Sequence, residues 1–147
     1  MRHSYNYART AVVFCMAIMV AACSSSSTET DRMPTQASVA VSGSTTVPLR
    51  LIISTDFTET LNQVTGQRAQ TIHSADTINV STLPWSRDVT LNETASILVD
   101  LSNPAEESAN VRLQVNLDSG QPPYDQSATM SRGGSLRYVF NFFTFVG

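Results

Sequence analysis

Val111-Arg-Leu-Gln-Val-Asn-Leu117 alternates without a fault: Val111, Leu113, Val115 and Leu117 share one parity, Arg112, Gln114 and Asn116 the other. Successive strand residues point to opposite faces, so this stretch predicts a strand with one buried and one wet side. Working outward, the same period recurs. Ile97, Val99 and Leu101 alternate with Ser96, Leu98 and Asp100, while Leu49, Leu51 and Ile53 alternate with Pro48, Arg50 and Ile52. Towards the end of the chain, Leu136, Tyr138, Phe140 and Phe142 repeat it. Turn signals punctuate these runs: Thr65-Gly66-Gln67, Leu91-Asn92-Glu93, Asn103-Pro104, Ser119-Gly120-Gln121-Pro122-Pro123 and Gly133-Gly134. No stretch after Gly43 carries a 3.6-residue apolar stripe. The expectation is an all-β fold, a small immunoglobulin-like β-sandwich of about seven strands over residues 46–147.

One region breaks the regularity. Leu83-Pro84-Trp85-Ser86-Arg87 puts a proline and the only tryptophan between strand candidates at residues 77–82 and 88–91. Proline cannot donate to a sheet ladder, so this is an edge, a kink or a crossover between sheets. Trp85 is expected to close the end of the core; the rival reading makes it a ligand-stacking or partner-contacting side chain.

Upstream of the domain the chain reads differently. Arg2 and Arg9 flank a polar start, and residues 11–22 are apolar and uncharged. Twelve residues are too few to cross a hydrocarbon core of about 30 Å, which takes roughly 20. A basic start, a short apolar run and small residues ahead of a cut site describe a secretory signal peptide over residues 1–22. Val20-Ala21-Ala22-Cys23 resembles the lipobox of bacterial lipoproteins, with Val20, Ala21 and Ala22 as the peptidase recognition residues. The resemblance implies cleavage before Cys23 and a diacylglyceryl thioether on its sulfur, giving a membrane partner through the lipid. One acyl chain holds only marginally and two or more hold stably. Ser24, where an aspartate often retains lipoproteins in the inner membrane, implies an outer-membrane location facing the periplasm. Residues 23–45, rich in serine and threonine, read as a flexible tether with a reach of about 25 Å.

Cleavage would leave seven arginines, no lysine and twelve acids, a net charge of −5. An acidic surface without a basic stripe argues against nucleic acid and against docking on anionic lipid by charge. Cys15 leaves with the signal and Cys23 is acylated, so no thiol remains for a disulfide, a metal or a nucleophile. His73 stands beside Ser74 and Asp76, but neighbours in a strand face opposite ways, so a triad is not expected. Asp100, Asn103, Glu106, Glu107 and Asp118 offer oxygen ligands without the spacing of a calcium loop, and a solvated loop is the reading adopted. No catalytic residue, metal or cofactor is assigned. The aromatic end, Tyr138-Val-Phe-Asn-Phe-Phe-Thr-Phe145, leaves Phe143 and Phe145 on the parity opposite to the core, as candidates for partner contact.

A further resemblance rests on Leu83-Pro-Trp-Ser86, the strand over residues 95–101 and the strand entering the Asp118-Ser-Gly120 hairpin. Between about Thr58 and Phe140 this layout resembles the MmpS family of transport accessory proteins. The family implies a compact β-sandwich outside the inner membrane, beside a resistance-nodulation-division-type exporter of lipid or siderophore. The chain departs from it in carrying a lipobox instead of a transmembrane helix and in lacking an extracytoplasmic cysteine pair. The functional expectation is a non-enzymatic, membrane-anchored envelope lipoprotein acting as an accessory or interaction module. A periplasmic carrier of a small hydrophobic ligand and a cell-wall hydrolase are the alternatives.

Overall fold

The computed structural model describes residues 32–145, with side chains through Phe143. Eight strands are formed: β1 (Gln36–Ser44), β2 (Leu49–Leu61), β3 (Arg68–Val80), β4 (Trp85–Thr90), β5 (Ser96–Ser102), β6 (Ala109–Leu117), β7 (Tyr124–Met130) and β8 (Ser135–Asn141), followed by one helical turn, α1 (Phe142–Phe145). They make two four-stranded sheets, β4-β1-β6-β7 and β3-β2-β5-β8, in which every neighbouring pair is antiparallel. The sheets close on one apolar core. Val39, Val41, Leu113 and Val115 from the first meet Leu49, Leu51, Ile97, Val99 and Leu101 from the second. The expected β-sandwich is thus observed.

Three expectations need correction. Residues 36–44, assigned by composition to a tether over 23–45, form β1, the strand that pairs with both β4 and β6. Ala37, Val39 and Val41 are buried while the serines between them are not. The alternation is present, but small side chains set among serines make it faint. The sandwich therefore begins at Gln36 instead of residue 46, and β1 brings its strands to eight. Second, the candidates at 77–82 and 88–91 are the visible parts of longer elements, β3 and β4. Pro84 lies in the crossover that carries the chain between sheets, and Trp85 opens β4. Third, the last strand stops at Asn141. Its side-chain Oδ1 accepts the N–H of Phe143 at 3.2 Å and turns the chain into α1, so Phe142 does not continue the strand.

Connectivity gives the sandwich two distinct ends. At the entry end lie the start of β1, the end of β4 and the β6–β7 hairpin, because Gln36 pairs with Thr90, Ala37 with Leu117 and Val115 with Tyr124. The start of β5 and the end of β8 join them through the pair Ser96–Asn141. The opposite end carries the connections at 45–48, 81–84, 103–108 and 131–134. Gly43, near that end, has φ +120°, and a Cβ there would lie 2.1 Å from the Asn110 carbonyl oxygen. Only glycine lets β1 and β6 approach this closely.

The β2–β3 hairpin outruns its sheet. Pairing of β2 with β5 ends at Ser54, yet the hairpin continues to Leu61–Arg68 as a two-stranded arm. A double irregularity between Ile53 and Phe57 marks where the arm leaves. Ser54 plugs it: its hydroxyl donates to the Ser74 carbonyl at 2.6 Å and accepts the Asp56 N–H at 3.2 Å.

Candidate functional site

Edge strands β3 and β4 belong to different sheets and face each other along one side of the sandwich. Trp85, Arg87 and Val89 pair with Val41, Val39 and Ala37, and Asp76 and Ile78 pair with Ile53 and Leu51, so all five share the core-facing parity. Trp85 and Ile78 pack against the core. Further along, Arg87 reaches Asp76 at 2.9 Å, joining the two sheets across the mouth. Around this pair is a groove of about 380 Å³, walled by Ser54, Asp56, Ser74, Asp76, Arg87 and Asp88. Both partners of the ion pair are about half exposed, so water screens it and little charge chemistry is concentrated there.

The candidate triad is not assembled. His73 is exposed, and its Nε2 lies 3.2 Å from the Thr58 hydroxyl on the arm. Asp76 is engaged by Arg87, and Ser74 contributes its carbonyl to Ser54. The five oxygen-bearing residues are likewise dispersed. Asp100, on the outer face of β5 and only 7% exposed, accepts the Arg137 guanidinium, with Nε at 2.7 Å. Glu106 pairs with Arg132. Asp118 accepts the Thr35 N–H at 2.8 Å and the Thr35 hydroxyl at 2.7 Å, and Arg32 lies beside it. The hydrogen bond from Thr35, with lesser help from the backbone and Arg32, holds the Asp118 carboxyl below the usual carboxylate range.

Asn103 is the residue that pattern reading misplaced. It is fully buried, not solvated, and its Nδ2 donates to the carbonyls of Glu107 at 2.8 Å and Met130 at 2.9 Å. Its Oδ1 accepts the Ala105 N–H at 3.0 Å. The side chain thus holds the 103–108 loop to the end of β7. Among the described residues, no group of three or more His, Cys, Asp or Glu side chains converges.

Of the residues singled out for partner or ligand contact, Trp85 and Phe143 lie at opposite ends of the sandwich. Trp85 begins β4 at the far end, half-buried. Phe143 follows β8 at the entry end, 61% exposed and edge-on to Phe142 at 5.9 Å. They cannot line one pocket. The side chain of Phe145, and Val20, Ala21, Ala22 and Cys23, fall outside the described residues. On the side away from the groove, Tyr124 of β7 meets Tyr138 of β8 at 5.0 Å and closes the sandwich. Burial pushes the Tyr138 hydroxyl up to about 12 and raises that of Tyr124.

Compared with protein-family models, curated proteins and solved structures, the chain matches none.

Proposed function

We propose that this chain is a lipid-anchored, non-enzymatic module of a bacterial cell envelope, holding its β-sandwich on the periplasmic side to engage or position a partner. The observation that carries the reading is Val20-Ala21-Ala22-Cys23, with its short apolar run, set only twelve residues ahead of Thr35. Thr35, with Arg32 just before it, is where Asp118 grips the chain. Two features support the non-enzymatic part. Asp76, Asp100, Glu106 and Asp118 are each engaged in a structural contact, and the only histidine downstream of Cys23 sits on the arm beside a threonine. Ser24 supports outer-membrane sorting, and the resemblance of Leu83–Ser86 and the strand order to MmpS proteins suggests a transport assembly as the first partner to look for.

Metabolic labelling with palmitate in a bacterial host tests the anchor. The wild-type chain is expected to take up label and float with membranes, and Cys23→Ser or globomycin treatment is expected to abolish both. Unlabelled wild-type protein would refute the reading. Crosslinking in intact cells followed by purification tests the partnership, and recovery of nothing above a Cys23→Ser control would count against it.

A further inference from the structure

Five large apolar side chains are exposed among the described residues: Met33, Leu61, Val64, Ile72 and Phe143. All five belong to the entry end or to the arm that leaves it. Met33 precedes β1, Phe143 follows β8, and Leu61, Val64 and Ile72 are on the β2–β3 arm. Scattered single hydrophobics need no explanation, but segregation to the end where the chain arrives from Cys23 does.

The arm's tip is built for display. Residues 61–67, Leu-Asn-Gln-Val-Thr-Gly-Gln, carry no charge. The Asn62 side chain accepts the N–H groups of Val64 at 2.9 Å and Thr65 at 3.1 Å. The Asn62 carbonyl takes the N–H of Gly66, and its own N–H donates to the Gln67 carbonyl, both at 2.8 Å. Gly66, at φ +69°, supplies the left-handed residue that closes the turn. The turn therefore satisfies much of its own backbone and holds Val64 outward, 95% exposed. In water an exposed valine gains nothing from this. At a headgroup boundary, backbone groups already paired and an absence of charge remove the two main costs of partial insertion.

The geometry points to a lipid surface as the occupant: the entry end faces the bilayer that holds Cys23, and Leu61 and Val64 at the arm's tip dip into its interface. This rests on the proposed lipidation of Cys23. Twelve residues from Cys23 to Thr35 span at most about 40 Å. From Ser54 to Leu61 the arm extends about 20 Å, so its tip lies well inside the tether's range. Two exposed aliphatic side chains on an otherwise polar, uncharged turn, with the adjoining Arg68 held by Glu59, suit a fluid interface better than a shaped protein groove.

The mature chain has no free thiol once Cys23 is acylated, so a single new cysteine is a clean probe site. Val64→Cys and Ser131→Cys, the latter on the far end, are each labelled with an environment-sensitive fluorophore. Both are made as lipidated proteins in vesicles of phosphatidylethanolamine and phosphatidylglycerol. Unchanged Trp85 emission reports that each variant is folded. The expected result is co-flotation of both, with a blue-shifted Val64 probe quenched several-fold more strongly by shallow spin-labelled lipid than the Ser131 probe. Adding Leu61→Ser is expected to weaken that quenching. Co-flotation with both probes equally wet overturns the inference and leaves the anchor standing. Failure to float overturns the anchor and the inference together. A Val64 probe wet in vesicles but shielded in cell envelopes assigns the tip to a protein partner, and likewise overturns it.

Discussion

Replacing Asn103 measures how much one buried amide contributes to this fold. In Asn103→Ala, the carbonyls of Glu107 and Met130 and the N–H of Ala105 lose their side-chain partner at a position with no solvent exposure. At about 1 kcal/mol per hydrogen bond, with part of the freed polar surface reached by water, the loss is about 3 kcal/mol. That is a large share of the roughly 5–15 kcal/mol that small domains possess. Urea unfolding followed by Trp85 fluorescence should show a midpoint lowered by about 2 M, taking a slope near 1.5 kcal/mol per M. Asn103→Asp keeps the shape but aims a carboxylate at two carbonyl oxygens. Its folded pKa must rise above the unfolded value of about 3.9. The acid form's advantage is thus present below that value and lost as pH rises through the raised folded pKa. The Asp variant should therefore be less stable than the Ala variant at pH 7 and approach or pass it near pH 4. A cost below about 1 kcal/mol for Asn103→Ala would refute the reasoning, as would parallel pH profiles for the two variants.

Gly43→Ala should prevent β1 from closing on β6, at a cost of about 4 kcal/mol or more, visible as loss of cooperative thermal unfolding. Arg137→Ala leaves the Asp100 carboxylate without its guanidinium on a nearly closed face; a loss of about 2–3 kcal/mol in urea is expected, and Asp100→Asn in the same chain should recover part of it. Ser119 buries a hydroxyl with no hydrogen-bond partner among the described residues, so Ser119→Ala should be neutral or stabilising by up to about 1 kcal/mol in the same assay. Downstream of Cys23 the only tyrosines are Tyr124 and Tyr138, so phenolate absorbance of the folded domain should appear late, with Tyr138 ionising at about 12. Because the folded values are raised, this contribution is intact below pH 10 and is lost as pH climbs through them, and alkaline unfolding should follow.

How legible each strand was depends on what its two faces touch. β6 sits between β1 and β7 with one face on the core and one in water, so its burial pattern repeats its hydropathy pattern residue for residue. In β5 only Ser102 escapes burial, and the outer face holds Leu98 and Asp100, which blurred its alternation without hiding it. β3 was nearly invisible because it is an edge strand, and most of its thirteen residues are exposed on either parity. Polar side chains suffice where most of both faces stay in water, and the two-residue period then carries little signal. The long arm was lost with it. Asn103 failed for a different reason: an asparagine beside proline reads as a solvated turn whether its amide meets water or three backbone groups. Only the return of β7 past the loop decides which, and that contact joins residues 27 apart.

A lipid on Cys23, as proposed, would change what a weak surface can accomplish. Two aliphatic side chains at the tip of an arm would not hold a freely diffusing domain to a membrane, since even a whole myristoyl chain does so only marginally. With Cys23 lipidated as proposed, contact at the tip would become an intramolecular event, with an effective concentration in the millimolar range for a short link. On that proposal the lipid would supply residence and the arm orientation. The Asn103 loop lies at the far end, away from the proposed membrane surface, whereas the Arg87–Asp76 groove, walled also by Ser54, Asp56 and Thr90, opens beside the base of the arm. A domain held only by its chain would present any face in turn; one that also rested on Val64, as proposed, would keep the far end turned away from the bilayer, where a partner could meet it.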